Sequence, residues 1–354
     1  MTTLVKASNQ WMSRSPDERY DSIEAMHEAA CRVRSRAATA ATTTRELHAT
    51  AYGDEVVLNG RADRRAALTH YSFGQLASKA GAPANYLRTL PAAVAADCIN
   101  HGLSQEDRDV DLLFSRYDGG ELQLRSMHSD RYARIWNSDI TERLVALKAD
   151  GPWQEAPAGF DGSRGQYMSD RDMFSFFVDS GRRIFEKDPN GGLSRGFFAW
   201  NSEVGAKSFG IMTFLYEYVC GNHMVWGAKD VKELRIRHIG DADTRAFAEL
   251  NVRLIEYANG AASEDELMIQ RARDYQLGKT KDEVLAAIFG LKLMPKKTVE
   301  EAYELATKRE DWYGSPRSAW GMRGAITEIA RDLPYADERV ALESAGKKVM
   351  ELAF

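Results

Sequence analysis

The chain has 354 residues, of which 44% are hydrophobic and 28% charged, which is usual for a globular protein of one or two domains. Its net charge of −5 at pH 7 and its pI near 5.9 exclude a uniformly basic protein that coats duplex DNA by charge alone. No signal-like apolar segment and no membrane-length apolar run occurs, and the widely spaced Cys31, Cys98 and Cys220 are typical of reduced, buried thiols, so we expect a cytoplasmic protein.

Residues 1–60 are predicted to form a peripheral, partly flexible N-terminal arm. Between Glu28 and Glu46 this segment has no acidic residue. It carries four arginines in an Ala/Thr-rich setting: Arg32, Arg34, Arg36 and Arg45. Such a segment is typical of a solvated arm, and an arm that contacts phosphates is the alternative.

A helix–turn–helix is predicted after residue 68. Thr69 is a candidate N-cap, Gly81 and Pro83 end the first helix, and Pro91 lies in the first turn of the second. The second helix, PAAVAADCINHGL, contains no Arg or Lys. Packing is therefore a better interpretation of this unit than base reading in the major groove.

Strands are predicted mostly between residues 108 and 240. Val110 and Leu112 alternate with acidic residues, and turn signals separate the segments that follow, which is typical of an antiparallel meander. Asp139 and Glu142 are spaced as a capping box and predict a helix after the meander. The segment SFGIMTFLYEYV is apolar on both faces, so it predicts a central strand covered on both sides.

The pattern becomes helical after Gly240, with capping-box spacings at Ser263/Glu266, Thr280/Glu283 and Thr298/Glu301. The sequence therefore predicts an α+β fold: a central antiparallel sheet, or meander, flanked by helices, with an all-helical C-terminal region. The predicted domains are the arm (1–60), an α+β core (61–240) and a helical region packed on the core (241–354).

Catalytic motifs are missing from the sequence: it has no phosphate loop, dinucleotide fingerprint, HExxH or nucleophile elbow. Two clusters contain residue types that bind metal ions: Asp107, Asp109 and Asp111, and Cys220, His223 and His238. Alternating acids usually form the solvated side of a strand, and one C-x-x-H pair is typical of a turn. We therefore predict no metal and no cofactor.

Cationic and aromatic residues of the predicted strands favour nucleic acid as the partner. Phosphate contacts need cations spaced along a groove, and bases stack on exposed aromatic rings. The aromatic face of the central strand is a stacking platform if it is open and core if helices cover it. We predict that a nucleic-acid interface is formed by Arg125, Arg131, Arg134, Lys229, Lys232, Arg235, Arg237, Tyr216 and Tyr218.

Four stretches in the same order resemble the phage/plasmid-like family that carries the domain of unknown function 932 (DUF932). They are residues 68–91, 125–144, 201–227 and 318–349. The most specific is NSEVG followed by a strand and C-x-N-x-M-V, which here comprises Cys220, Asn222, Met224 and Val225; His223 stands where the family typically has Gly. The resemblance implies a protein of phages, plasmids or integrated elements. A meander with a helix is also similar to the single-strand annealing proteins that phages use in recombination.

Taken together, these features predict a non-enzymatic binder of single-stranded DNA or RNA, with DNA favoured, that acts in phage or plasmid recombination as a homo-oligomer, with no membrane partner. An interaction protein that inhibits or redirects a host factor is one alternative. A metal-dependent enzyme that acts on nucleic acid is the other.

Overall fold

The computed structural model of the chain describes residues 18–59, 65–117, 120–155, 165–181, 183–185, 187, 192–217, 234–242, 244–249, 252, 262–331, 333 and 336–354. Its strands are β1 (Arg19–Tyr20), β2 (Ala37–Thr43), β3 (His48–Tyr52), β4 (Glu55–Asn59), β5 (Arg65–Leu68), β6 (Asp109–Arg116), β7 (Leu122–Ser129), β8 (Trp153–Glu155), β9 (Gln166–Met168), β10 (Met173–Asp179), β11 (Leu193–Asn201), β12 (Phe209–Glu217) and β13 (Leu234–Ile236). Its helices are α1 (Ile23–Ser35), α2 (His70–Lys79), α3 (Ala84–Leu87), α4 (Ala92–Gln105), α5 (Asn137–Asp150), α6 (Ala262–Asp274), α7 (Lys281–Gly290), α8 (Lys296–Lys308), α9 (Glu310–Tyr313), α10 (Ala319–Arg331) and α11 (Ala336–Glu351).

The first sheet is antiparallel and has the order β1-β9-β10-β11-β12-β13, with β8 paired to the end of β10. Every residue of β10 and β11 is buried, as expected for strands that are covered on both faces. Helices α1 and α5 pack over one face, where Met26 and Leu144 join Phe177, Phe197 and Phe209 in a shared core. The predicted central strand is β12, which pairs with β11 on one side and β13 on the other.

The second sheet has the order β2-β6-β7-β5-β4-β3 and is antiparallel except for the parallel pair β5 and β7. Helices α2 and α4 cover one face of it, and their Leu76 and Ile99 pack with Leu112 and Leu124 of the strands. The α+β prediction is confirmed, although the strands form two sheets rather than one central meander.

The segment from Glu18 to Asn59 differs from the peripheral arm that the sequence predicted. Its strand β1 belongs to the first sheet, and its helix α1 packs on that sheet. Its strands β2, β3 and β4 belong to the second sheet. Cys31 and Cys98 also differ from the prediction of buried thiols, since both are exposed on the outer faces of α1 and α4. Cys220 lies outside the described residues.

The C-terminal helices have a core of their own, in which Val284, Val299, Ile326 and Val349 are buried. A smaller cluster joins them to the start of β11 through Leu193 and others. No helix within the described ranges is long and apolar enough to cross a bilayer.

Candidate functional site

The turn formed by residues 201–205, NSEVG, connects β11 to β12 and lies where the two sheets meet. Asn201 is fully buried, and its amide donates hydrogen bonds to the carbonyl of Ile135 and the side-chain oxygen of Asn137, both at 2.8 Å. These bonds fix the turn against the segment that leads into α5. We call this region the junction (residues 125–138, 201–205 and 238).

Glu203 is the charged centre of the junction, with 1% of its surface exposed. One carboxylate oxygen accepts a hydrogen bond at 2.9 Å from the N–H of Asn137, the first residue of α5. The other lies 3.0 Å from the guanidinium of Arg125, which is 5% exposed. A carboxylate is favourable at a helix N-terminus because it faces unpaired N–H groups and the positive end of the helix dipole.

The Arg134 guanidinium connects the two sheets. It forms an ion pair with Asp111 of β6 at 2.8 Å and donates a hydrogen bond to the carbonyl of Glu203. Its side chain is 7% exposed. Asp111, which the sequence offered as a metal ligand, therefore neutralises a buried arginine.

Three aromatic rings stack in the junction. The rings of His128 and Tyr132 are 3.7 Å apart and nearly parallel, and the ring of His238 lies 5.3 Å from that of Tyr132 on a parallel plane. The hydroxyl of Tyr132 is 3.2 Å from Nδ1 of His238 and 3.2 Å from the carbonyl oxygen of Glu203. Nε2 of His128 donates to the carbonyl of Val204 at 2.8 Å, so this nitrogen carries the proton of the neutral ring.

Burial keeps the stacked groups uncharged. Burial, assisted by the nearby positive charge of the Arg134 guanidinium, lowers the pKa of His128 and of His238 to about 4. Burial also raises the pKa of Tyr132 well above its usual value. The stack is therefore neutral at pH 7.

An open groove of about 530 Å³ borders the junction. The residues that line it come from α2, from Arg88 just after α3, from the end of β7, which includes His128, and from the turn between β9 and β10. Three cations line it: Lys79, Arg88 and Arg171. None of its eleven lining residues is acidic, so the groove is a cationic concavity on a protein whose net charge is negative.

Two of the three cations of the groove are held in place by contacts with neighbouring residues. The guanidinium of Arg88 lies 4.9 Å from the ring centroid of Phe73 and donates to the carbonyl of His70 at 2.9 Å. The guanidinium of Arg171 lies 5.4 Å from the ring centroid of Tyr71. The hydroxyl of Ser202 donates to the carbonyl of Arg171, so the NSEVG turn also positions this wall of the groove.

The nine residues predicted for the nucleic-acid interface have different locations. Arg125 and Arg134 are buried in ion pairs, which differs from the groove-lining role that we predicted for them, because a carboxylate neutralises each. Arg131 and Arg237 are exposed, on segments that pair through the Tyr132–Ile239 bridge. In the first sheet Tyr216 pairs with Ser194 and Arg235 pairs with Gly210, but the structure does not describe the side chains of Tyr216 and Arg235. The remaining three predicted residues, Lys229, Lys232 and Tyr218, lie outside the described residues.

Sequence reasoning missed the groove. Lys79 and Arg88 lie in the predicted helix–turn–helix. The lack of cations in its second helix argues against base reading, but Lys79 and Arg88 lie before that helix begins. Arg171 follows in a turn more than 80 positions later, so nothing local connects it to them. The weak signal available was that Arg88 lies two positions after Tyr86, in a segment that also contains Tyr71 and Phe73.

Metal ligands do not cluster in the part of the chain that the structure describes: it contains no group of three His, Cys, Asp or Glu side chains placed to hold an ion. Asp109 lies at the start of β6 and is exposed. His238 lies in the stack, and Cys220 and His223 are outside the described residues.

Comparison with known families agrees with the resemblance. A family model described as "Domain of unknown function (DUF932)" matches residues 125–332, which is more than half of the chain. The chain belongs to the DUF932 family. The DUF932 match begins at Arg125 and contains the stack, Glu203 and Arg171, whereas Lys79 and Arg88 precede it. No curated protein and no solved structure matches this chain.

Proposed function

We propose that this DUF932 protein binds single-stranded nucleic acid, with the phosphates held in the groove by Lys79, Arg88 and Arg171. The convergence of three cations in an open groove without an acidic residue carries the proposal. Cations placed along a groove release counterions from a phosphate backbone, and this release supplies most of the affinity in sequence-independent binding. The negative net charge implies that this binding is confined to the groove.

Several features favour a nucleic-acid strand over a single small anion. The groove is open to solvent, and its volume exceeds what one phosphate fills. Tyr71 lies beside Arg171 in the lining and offers an aromatic ring next to a guanidinium, the pair of groups on which unpaired bases stack. A flexible single strand can enter such a concavity, whereas a duplex needs a protruding element for its grooves.

The test is a fluorescence anisotropy titration with labelled single-stranded DNA, single-stranded RNA and duplex DNA between about 50 and 200 mM salt. With three phosphate contacts the logarithm of the affinity falls with a slope of about −2 against log salt, which is a loss of about 20-fold over this range. Lys79→Ala, Arg88→Ala and Arg171→Ala each reduce the slope by about 0.7.

Lys297→Ala is the matched control, because Lys297 is an exposed cation on α8, which does not line the groove. It leaves the affinity unchanged. No binding at low salt, or equal binding by the control and the three groove variants, refutes the proposal. If inorganic phosphate displaces the labelled oligonucleotide at the same concentration of negative charge, the groove binds a small anion instead.

Strand annealing is the more specific activity that the similarity of the predicted meander and helix to phage annealing proteins favours. It requires that the protein bring two bound strands together, which a fluorescence-transfer assay with complementary oligonucleotides measures directly. An annealing rate that the protein does not raise, in conditions where it binds both strands, limits the function to binding.

A further inference from the structure

The second sheet ends at β2, a seven-residue strand whose outer edge no described residue pairs with. The opposite edge of this sheet, β3, is treated differently. There the side-chain amide of Asn100 accepts from the N–H of Ala49 and donates to its carbonyl, both at 2.8 Å, and so substitutes for a neighbouring strand. The first sheet ends in strands of two and three residues. Short or capped edges prevent unwanted pairing, so β2 is the exception among the sheet edges within the described residues.

The register identifies which backbone groups of β2 point outward. Arg116 donates to the carbonyl of Arg36, and Thr44 donates to the carbonyl of Arg108, so Arg36 and Thr44 face β6. Hydrogen-bonded and non-hydrogen-bonded pairs alternate along an antiparallel ladder. The residues whose N–H and C=O groups face away from β6 are therefore Ala37, Thr39, Ala41 and Thr43.

The edge lacks the usual protection. Its sequence, AATAATT, contains no charged residue and no proline, and the three central residues, Thr39, Ala40 and Ala41, are exposed. Charges and prolines are the residues that natural edge strands use to prevent pairing. Small side chains also allow a second strand to approach closely.

We propose that a second copy of this chain pairs with β2 antiparallel across a two-fold axis at Ala40. In this register Thr39 lies opposite Ala41 of the copy, and Ala37 lies opposite Thr43. Every outward-facing residue then meets another, which forms about eight hydrogen bonds, and Ala40 meets its own equivalent. Since the strand carries no charge, self-pairing creates no repulsion. The second sheet of one copy and the second sheet of the other then form one continuous sheet.

The test is the molar mass of the full chain, measured by sedimentation velocity up to about 100 μM, because one strand pair is a small interface. The wild type sediments as a concentration-dependent dimer. Ala40→Lys and Ala40→Glu each place like charges opposite one another and raise the dimer dissociation constant at least about tenfold. An equimolar mixture of the two variants dimerises again, because opposite charges then meet. Ala40→Ser is the neutral control and dimerises as the wild type does.

Restoration by mixing separates the proposal from misfolding, since a misfolded variant is not restored by a second one. A chain that is monomeric at every concentration overturns the proposal. A dimer that Ala40→Lys and Ala40→Glu leave intact also overturns it, because that dimer uses another surface.

Discussion

Replacing Gly205 with alanine tests the packing of the junction. Gly205 has φ +76, and a Cβ built on it lies 2.4 Å from Cε1 of His128. The left-handed conformation costs a non-glycine residue about 1–2 kcal/mol. Displacing the imidazole breaks its hydrogen bond to the carbonyl of Val204, worth about 1 kcal/mol, and its stacking on Tyr132, worth a further 0.5–1.5 kcal/mol or so. We therefore expect Gly205→Ala to lower the free energy of unfolding by about 3–4 kcal/mol.

Gly53→Ala is the matched control. Gly53 has φ +60, and a Cβ on it meets nothing within 4 Å, so this variant loses the backbone contribution of about 1–2 kcal/mol alone. Urea denaturation followed by tryptophan fluorescence measures both variants. A double variant, Gly205→Ala with His128→Ala, is expected to lose less than the sum of the single losses, because the small side chain removes the clash. If Gly205→Ala and Gly53→Ala lower the free energy of unfolding equally, the close packing of Gly205 against His128 is refuted.

Two further predictions concern pH and helix capping. The pKa values of His128 and His238 are about 4 in the folded chain, below the usual value of 6.5. Between pH 6.5 and pH 4 the unfolded chain therefore binds more protons than the folded chain, and the free energy of unfolding falls as the pH falls. Near pH 5.5 the unfolded chain binds about 0.9 proton more at His128 than the folded chain does, so the slope of stability against pH should be smaller in His128→Gln than in the wild type by about 1.2 kcal/mol per pH unit. Parallel curves from denaturation at several pH values would contradict this. Thr280 accepts a hydrogen bond from the N–H of Glu283 at the start of α7, whereas Thr298 lies inside α8. We therefore expect Thr280→Ala to lower the free energy of unfolding by about 1 kcal/mol and Thr298→Ala to lower it much less, as measured by thermal unfolding. Equal losses in the two variants would contradict the assignment of Thr280 as the cap.

Locally determined features of the fold could be predicted from the sequence. Thr69 caps α2 by accepting from Ser72, three positions away, and such a bond depends on few other residues. The same holds for Thr280 at α7. The apolar segment that begins at Phe209 forms β12, which pairs with a strand on each side, and the described side chains of Phe209 and Ile211 are buried.

Features that depend on distant partners could not be predicted. The segment that forms β2 consists of Ala and Thr, whose weak preferences are also typical of an arm, and its pairing with β6 lies about 70 positions away in the chain. The capping box predicted at Asp139 and Glu142 is wrong for the same reason. Helix α5 begins at Asn137, and its first N–H is bonded by Glu203 from 66 positions away.

The candidate site shows the same limit. Nothing in the sequence distinguishes Arg125, which a buried carboxylate neutralises, from Arg171, which lines the groove. A cation becomes available for a ligand when the fold places it on an open surface and outside a buried ion pair. That condition depends on which segments meet, and the meeting of α2, β7 and the β9–β10 turn is a property of the whole sheet arrangement.

The two oxygens of the Glu203 carboxylate have a consequence for how the chain unfolds. One is bonded to α5, which covers the first sheet, and the other is paired with Arg125 of the second sheet. A partly unfolded state that kept one sheet and lost the other would hold an uncompensated charge inside the protein, at a cost of about 3–5 kcal/mol. We therefore expect such intermediates to be sparsely populated and the two sheets to unfold in a single cooperative transition.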